Sequence, residues 1–148
     1  MTNENDNTVE VLNGLIQYLY DSKNGYEECA KITKDKNYMN LLQKLSNERD
    51  RMLGELQEEV KKLNSKPAAS SGTTTGMLHR LFIDLKNLFS GEDNSGILEE
   101  INRGENVLLN EFKTAVKSDS VSDAIRNILV SQMNEVSRNI NYLNSLKW

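Results

Sequence analysis

A stripe of apolar residues with one carboxylate in it most constrains how this chain can fold. Within residues 97–117, Leu98, Ile101 and Leu108 lie three and seven residues apart, and the stripe continues at the same spacing beyond them. Such spacing places side chains on one face of an α-helix. Glu105 fills the gap in the stripe, where a buried aliphatic residue is expected. The pattern therefore predicts a helical bundle with a charged group in its interior.

Three more segments repeat this pattern, so the sequence predicts four long helices at about residues 8–33, 37–64, 97–117 and 120–146. The chain contains one proline, and its aromatic content is 6%. This composition favours an all-α fold over a sheet. Each of the other three stripes also has a polar interruption. The interrupting residues are Ser22, Arg49 and Gln132.

The segments between these helices suggest one domain at residues 8–148, preceded by a disordered segment at residues 1–7. Residues 1–7 are too polar to pack. Residues 65–96 include a stretch rich in Ser, Thr, Gly and Pro, so we interpret them as a crossover. A short amphipathic helix at 77–89 interrupts this crossover. Its apolar face is expected to pack against the bundle or another subunit through Leu81, Phe82 and Leu85.

The polar interruptions lie at similar distances from the predicted turns, and short turns align antiparallel helices level with each other. We therefore predict a buried pair of Arg49 and Glu105, with Gln132 and Tyr26 completing its hydrogen bonds and Ser22 leaving room for it. A guanidinium can satisfy a carboxylate directly. Two interpretations stay open: a structural layer that fixes helix register, and a reactive site.

Charge and cysteine usage narrow the class of protein. The net charge of −4 comes without a basic block, so nucleic acid is not an expected partner. The single cysteine, Cys29, cannot form an internal disulfide and suits a reducing compartment. No apolar run approaches the ~20 residues that span a bilayer, and the first residues lack the features of a signal peptide. We therefore expect a cytoplasmic protein without a membrane span.

Three motifs of the chain are the most specific: LHR at 78–80, DLK at 84–86 and RGE at 103–105. With these motifs, most of the chain, from about Leu12 to Leu143, resembles a known family. This is a family of uncharacterised bacterial four-helix-bundle proteins with a ferritin-like fold, catalogued as domain of unknown function twenty-three eighty-three. The resemblance implies an antiparallel bundle in which a long crossover carries a short amphipathic helix.

The ferritin-like resemblance raises the alternative of a di-iron or di-manganese site. Such sites use one Glu from each of two helices and a Glu-x-x-His from each of the other two. Here arginines, Arg51 and Arg138, follow Glu48 and Glu135 at that spacing, and arginine has no lone pair to offer a metal. No cofactor is therefore expected. An all-carboxylate site is the alternative, with candidate ligands Glu27, Glu28, Glu48, Glu105 and Glu135.

Two functional classes follow from these observations. The first is a non-catalytic interaction or stress-associated module that forms a homo-oligomer or binds a protein partner. The second is a metal-binding oxidoreductase or storage protein of ferritin type with an atypical carboxylate site. His79 and Arg80 are candidates for contact with an anion or a partner. Enzymatic activity is not the favoured interpretation, because no triad-like cluster or phosphate-binding loop is visible.

Overall fold

The computed structural model describes residues 4–68, 76–91 and 96–146, with side chains except at residue 4 and residues 76–79. Five α-helices account for most of these residues, and none of the described residues lies in a strand. The all-α prediction is confirmed. No helix in these ranges is both long enough and apolar enough to cross a membrane. The helices are α1 (Glu4–Ile32), α2 (Lys36–Lys62), α3 (Gly76–Ser90), α4 (Ile97–Val116) and α5 (Asp123–Ser145).

The first helix begins four residues earlier than the sequence predicts. The prediction of disorder is wrong for residues 4–7, which belong to α1, and residues 1–3 lie outside the described ranges. Thr8, where the sequence predicts the helix to begin, is a buried residue within it. Its hydroxyl donates a hydrogen bond to the carbonyl of Ser120. This contact with the α4–α5 connection gives the first turns of α1 a tertiary partner that the polar sequence does not reveal.

Side-chain caps set the starts of α2 and α5. Asp35 accepts hydrogen bonds from the backbone N–H groups of Asn37, at 2.8 Å, and Tyr38, at 3.3 Å. Ser122 accepts one from the N–H of Ile125 at 3.2 Å. These caps satisfy N–H groups that have no partner within the helix. They place the start of α5 at Asp123, three residues later than the predicted 120.

Contacts between consecutive long helices show that they form two antiparallel hairpins. In the first, α1 packs along α2, and residues earlier in α1 meet residues later in α2. In the second, α4 packs along α5 in the same way. The pairs that establish these directions are Tyr20 with Gln57, Lys23 with Asp50, Asn102 with Asn144, and Arg126 with the carbonyl of Val116.

The two hairpins lie side by side with α1 antiparallel to α4. Thr8 contacts Ser120 just beyond the end of α4, whereas Tyr26 contacts Glu105 within it. It follows that α2 and α4 run in the same direction. The end of α2 and the start of α4 therefore lie at opposite ends of the molecule, and α3 comes between them in the chain. Parts of the predicted crossover, residues 69–75 and 92–95, lie outside the described ranges.

The packing of the short helix α3 is intramolecular: it lies against α1 and α4. Leu81, Phe82 and Leu85 are buried there. The ring of Phe82 meets that of Tyr26 edge-on at 5.2 Å between centroids. Close approach depends on Gly25, because a Cβ at that position would lie 2.3 Å from a ring carbon of Phe82. The intramolecular version of the packing prediction is therefore the one observed.

We predict that Gly25→Ala destabilises the protein by about 1–3 kcal/mol, because the added methyl group collides with Phe82 and α3 must shift. Gly14→Ala is the matched control in the same helix, since a Cβ there meets nothing within 4 Å. Removing a helical glycine at that open position should stabilise by about 0.4–1 kcal/mol. Urea unfolding measures both variants. Equal effects at the two glycines would contradict the proposed role of Gly25.

Candidate functional site

A buried ion pair connects the two hairpins at mid-height. The guanidinium of Arg49, on α2, donates from Nη2 to Oε1 of Glu105, on α4. Arg49 is 0% exposed and Glu105 is 1% exposed. Burying either charge alone is costly, so each needs the other in this position. The pair lies where the apolar stripes of α2 and α4 are interrupted in the sequence.

Tyr26 is hydrogen-bonded to the second oxygen of the Glu105 carboxylate. Its hydroxyl donates to Oε2 of Glu105 at 2.7 Å. Burial, together with the negative charge of Glu105, raises the pKa of Tyr26 well above its usual 10.0. Burial lowers the pKa of Arg49, but the attraction of Glu105 and Tyr26 outweighs it and the pKa is raised. The arrangement therefore keeps a neutral phenol and a cationic guanidinium on the carboxylate.

The contribution of α5 to this polar layer is Asn139, which sequence reasoning missed. Asn139 is 6% exposed, and its Nδ2 donates to Oε2 of Glu48 at 2.7 Å. The same oxygen lies 3.9 Å from Nη1 of Arg49. Apolar clusters flank this level on both sides: α5 contributes Val136 to one and Leu143 to the other. Its place between these two residues does not identify Asn139 in the sequence, because Ile140 fits the same helical spacing.

Gln132 does not contact Glu105, and the prediction that it completes the pair's hydrogen bonds is wrong. Its Nε2 donates to the carbonyl of Met52 at 3.2 Å and to Oε1 of Glu55 at 2.7 Å. The cause is helix register. The connection after α4 occupies several non-helical residues, so Glu105 lies level with Asn139, about two helical turns further along α5 than Gln132.

Ser22 lies at the level of the layer on α1. It is 4% exposed and is placed between Leu19, in one apolar cluster, and Tyr26, in the other. The four helix positions at this level are thus Ser22, Arg49, Glu105 and Asn139. Of the predicted layer residues, the structure brings Arg49, Glu105 and Tyr26 into direct contact.

The residues do not fit a di-metal centre. Within the part of the chain that the structure describes, no three His, Cys, Asp or Glu side chains are grouped to hold a metal ion. The five candidate carboxylates have separate partners, and Arg51 occupies one of the positions that a histidine would need. The pairs are Glu27 with Lys31, Glu28 with Lys86, Glu48 with Asn139, Glu105 with Arg49, and Glu135 with Arg51.

The remaining residues that the sequence singles out are Arg80, His79 and Cys29. Arg80 is exposed on α3, and the side chain of His79 lies outside the described part. Cys29 is fully buried, and burial raises the pKa of its thiol to about 11. A thiol with that pKa is almost wholly protonated at neutral pH and therefore a weak nucleophile. Its role is that of a small apolar core residue.

Together the fold and the layer define an all-α protein with a buried arginine–glutamate pair in its core. The chain belongs to the family described as Domain of unknown function (DUF2383), which it matches over residues 7–118. This family assignment confirms the resemblance to domain of unknown function twenty-three eighty-three. A comparison with curated proteins gave no match.

We predict that Glu105→Ala costs about 3–5 kcal/mol, because it leaves the Arg49 guanidinium buried without its counter-charge. Replacing both partners, as Arg49→Met with Glu105→Leu, should be neutral or stabilising, because no charge is then desolvated. Urea unfolding of Arg49→Met, of Glu105→Leu and of the double variant measures the coupling. Additive losses in the double variant would show that the two side chains do not depend on each other.

The raised pKa of Tyr26 predicts a pH dependence. The neutral Tyr26 hydroxyl contributes folding stability that is fully present below the unfolded-state pKa near 10. This stability is lost as pH rises toward the raised pKa of the native state. Tyr26→Phe should lower the free energy of unfolding by about 1.5–3 kcal/mol at pH 7, because the Glu105 carboxylate loses a hydrogen-bond donor. Above pH 10 the variant should lose less stability than wild type does. Tyr142→Phe, at an exposed tyrosine, is the control. Identical pH profiles for wild type and Tyr26→Phe would refute this.

Proposed function

We propose that this chain is a ferritin-like four-helix bundle that acts as a non-catalytic interaction or stress-associated module. The helix directions support the ferritin-like assignment. The order is two antiparallel hairpins, with α2 and α4 running the same way and a long connection between them. The short helix α3 belongs to that connection and packs against α1 and α4.

The occupied carboxylate of Glu105 is the observation that carries the non-catalytic assignment. One of its oxygens accepts from Arg49 and the other from Tyr26 at 2.7 Å. A general base or a metal ligand needs a lone pair directed at a substrate or an ion. Both oxygens here are instead directed at residues of the same chain. The layer is therefore best assigned to holding the two hairpins together.

The surface is then the part of the molecule that meets other molecules. We propose that the protein self-associates or binds a protein partner. A cytoplasmic location accompanies this proposal, supported by the single reduced cysteine. Light scattering of the purified protein over a concentration series tests self-association. A strictly monomeric protein that also captures nothing specific from native extract would contradict the interaction role.

Metal analysis tests the non-catalytic assignment directly. After aerobic and anaerobic reconstitution with iron or manganese, we expect far less than one metal ion per chain, because the carboxylates are dispersed among other partners. The control is Arg49→Met with Glu105→Leu, which abolishes the layer. Stoichiometric metal in wild type that disappears in the double variant would show that the layer is a metal site.

A further inference from the structure

Arg49 has more hydrogen-bond donors than the described residues have acceptors for. Nη2 donates to Glu105, but Nε and Nη1 have no hydrogen-bond partner among the described residues. The residue is 0% exposed, so bulk water does not reach it either. Buried donors of a charged group are almost always satisfied. A small ligand that accepts hydrogen bonds is therefore expected beside this guanidinium.

The charges around Arg49 determine the class of that ligand. Glu105 neutralises the guanidinium, and the carboxylate of Glu48 adds a second negative charge 3.9 Å from Nη1. An added anion would be repelled by both carboxylates, and an added cation would face the guanidinium. A neutral acceptor meets neither penalty. The surface grooves of 360–520 Å³ are lined by other residues. Nη1 of Arg49 lies only 3.9 Å from Oε2 of Glu48, and a neutral group that bonds to both across this distance is of water size.

The geometry points to one buried water molecule between Nη1 of Arg49 and Oε2 of Glu48, and we propose that this is an internal hydration site. A distance of 3.9 Å is too long for a direct hydrogen bond but suits two groups that share one water. The water accepts from Arg49 and donates to Glu48. Asn139 holds Glu48 in place from α5, at 2.7 Å. Because the side chain of Glu48 is 23% exposed, the layer is linked to solvent through this residue.

Crystal structures of wild type and two matched variants test the proposal. Glu48 and Glu55 both lie on α2, and each accepts a hydrogen bond from an α5 amide at 2.7 Å, but only Glu48 approaches Arg49. We expect water density on Nη1 in wild type and in Glu55→Leu. The density should be absent in Glu48→Leu. Direct contact between Nη1 and Glu48, a bound ion at that place, or no density there in wild type overturns the proposal.

A solution measurement keeps the proposal testable if either variant fails to fold. In wild type labelled with ¹⁵N-arginine, the guanidinium protons of Arg49 should show a dipolar cross-peak to water despite the residue's complete burial. Tyr26→Phe serves as a control for magnetisation relayed through the exchangeable phenol proton. Absence of the cross-peak, or its loss in Tyr26→Phe, would show that no water lies beside Arg49.

Discussion

The contact between Arg49 and Glu105 is the interaction on which the relative placement of the two hairpins depends. One residue belongs to the α1–α2 hairpin and the other to the α4–α5 hairpin, and both are buried. A hydrophobic contact between helices can slide with little loss of stability, because the hydrophobic effect is proportional to the buried apolar area and is not directional. A buried charge pair cannot, because separation by one residue leaves two uncompensated charges. Tyr26 adds to this directionality by occupying the second carboxylate oxygen at 2.7 Å.

The helix α3 closes the layer from outside, and two small residues allow it to do so. Phe82 packs over Gly25 and against the ring of Tyr26, whose hydroxyl is bonded to Glu105. A Cβ at Gly104 would lie 3.1 Å from the side chain of Leu81, so this glycine brings α3 close to α4. Helix α3, which belongs to the crossover, is therefore in direct contact with the core. The apolar face of α3 shields the polar layer from water, and each hydrogen bond within it is strengthened by the lower local dielectric.

The sequence predicts the helices and most of the layer, because a period of three to four residues is visible without tertiary information. Arg49, Glu105 and Tyr26 could be found in this way. Asn139 could not. After Val136 the next stripe position can be three or four residues on, so 139 and Ile140 fit equally well. Only the contact of Asn139 with Glu48 on another helix decides between them. The prediction that Gln132 lies level with Glu105 was wrong for a similar reason. The number of non-helical residues before Asp123 depends on a cap at Ser122.

A buried ion pair adds little net stability over an apolar pair of the same volume, so its structural effect must lie in excluding alternatives. If α4 slipped by one turn along α2, Arg49 would face Ile101 or Leu108 instead of Glu105. Both are fully buried core residues, so the apolar stripes alone would accept that register almost as well. The guanidinium would not, since it would then be buried without a carboxylate. The level of Arg49 and Glu105, between two apolar clusters, therefore gives the hairpins one register, and the same register brings Asn139 to Glu48.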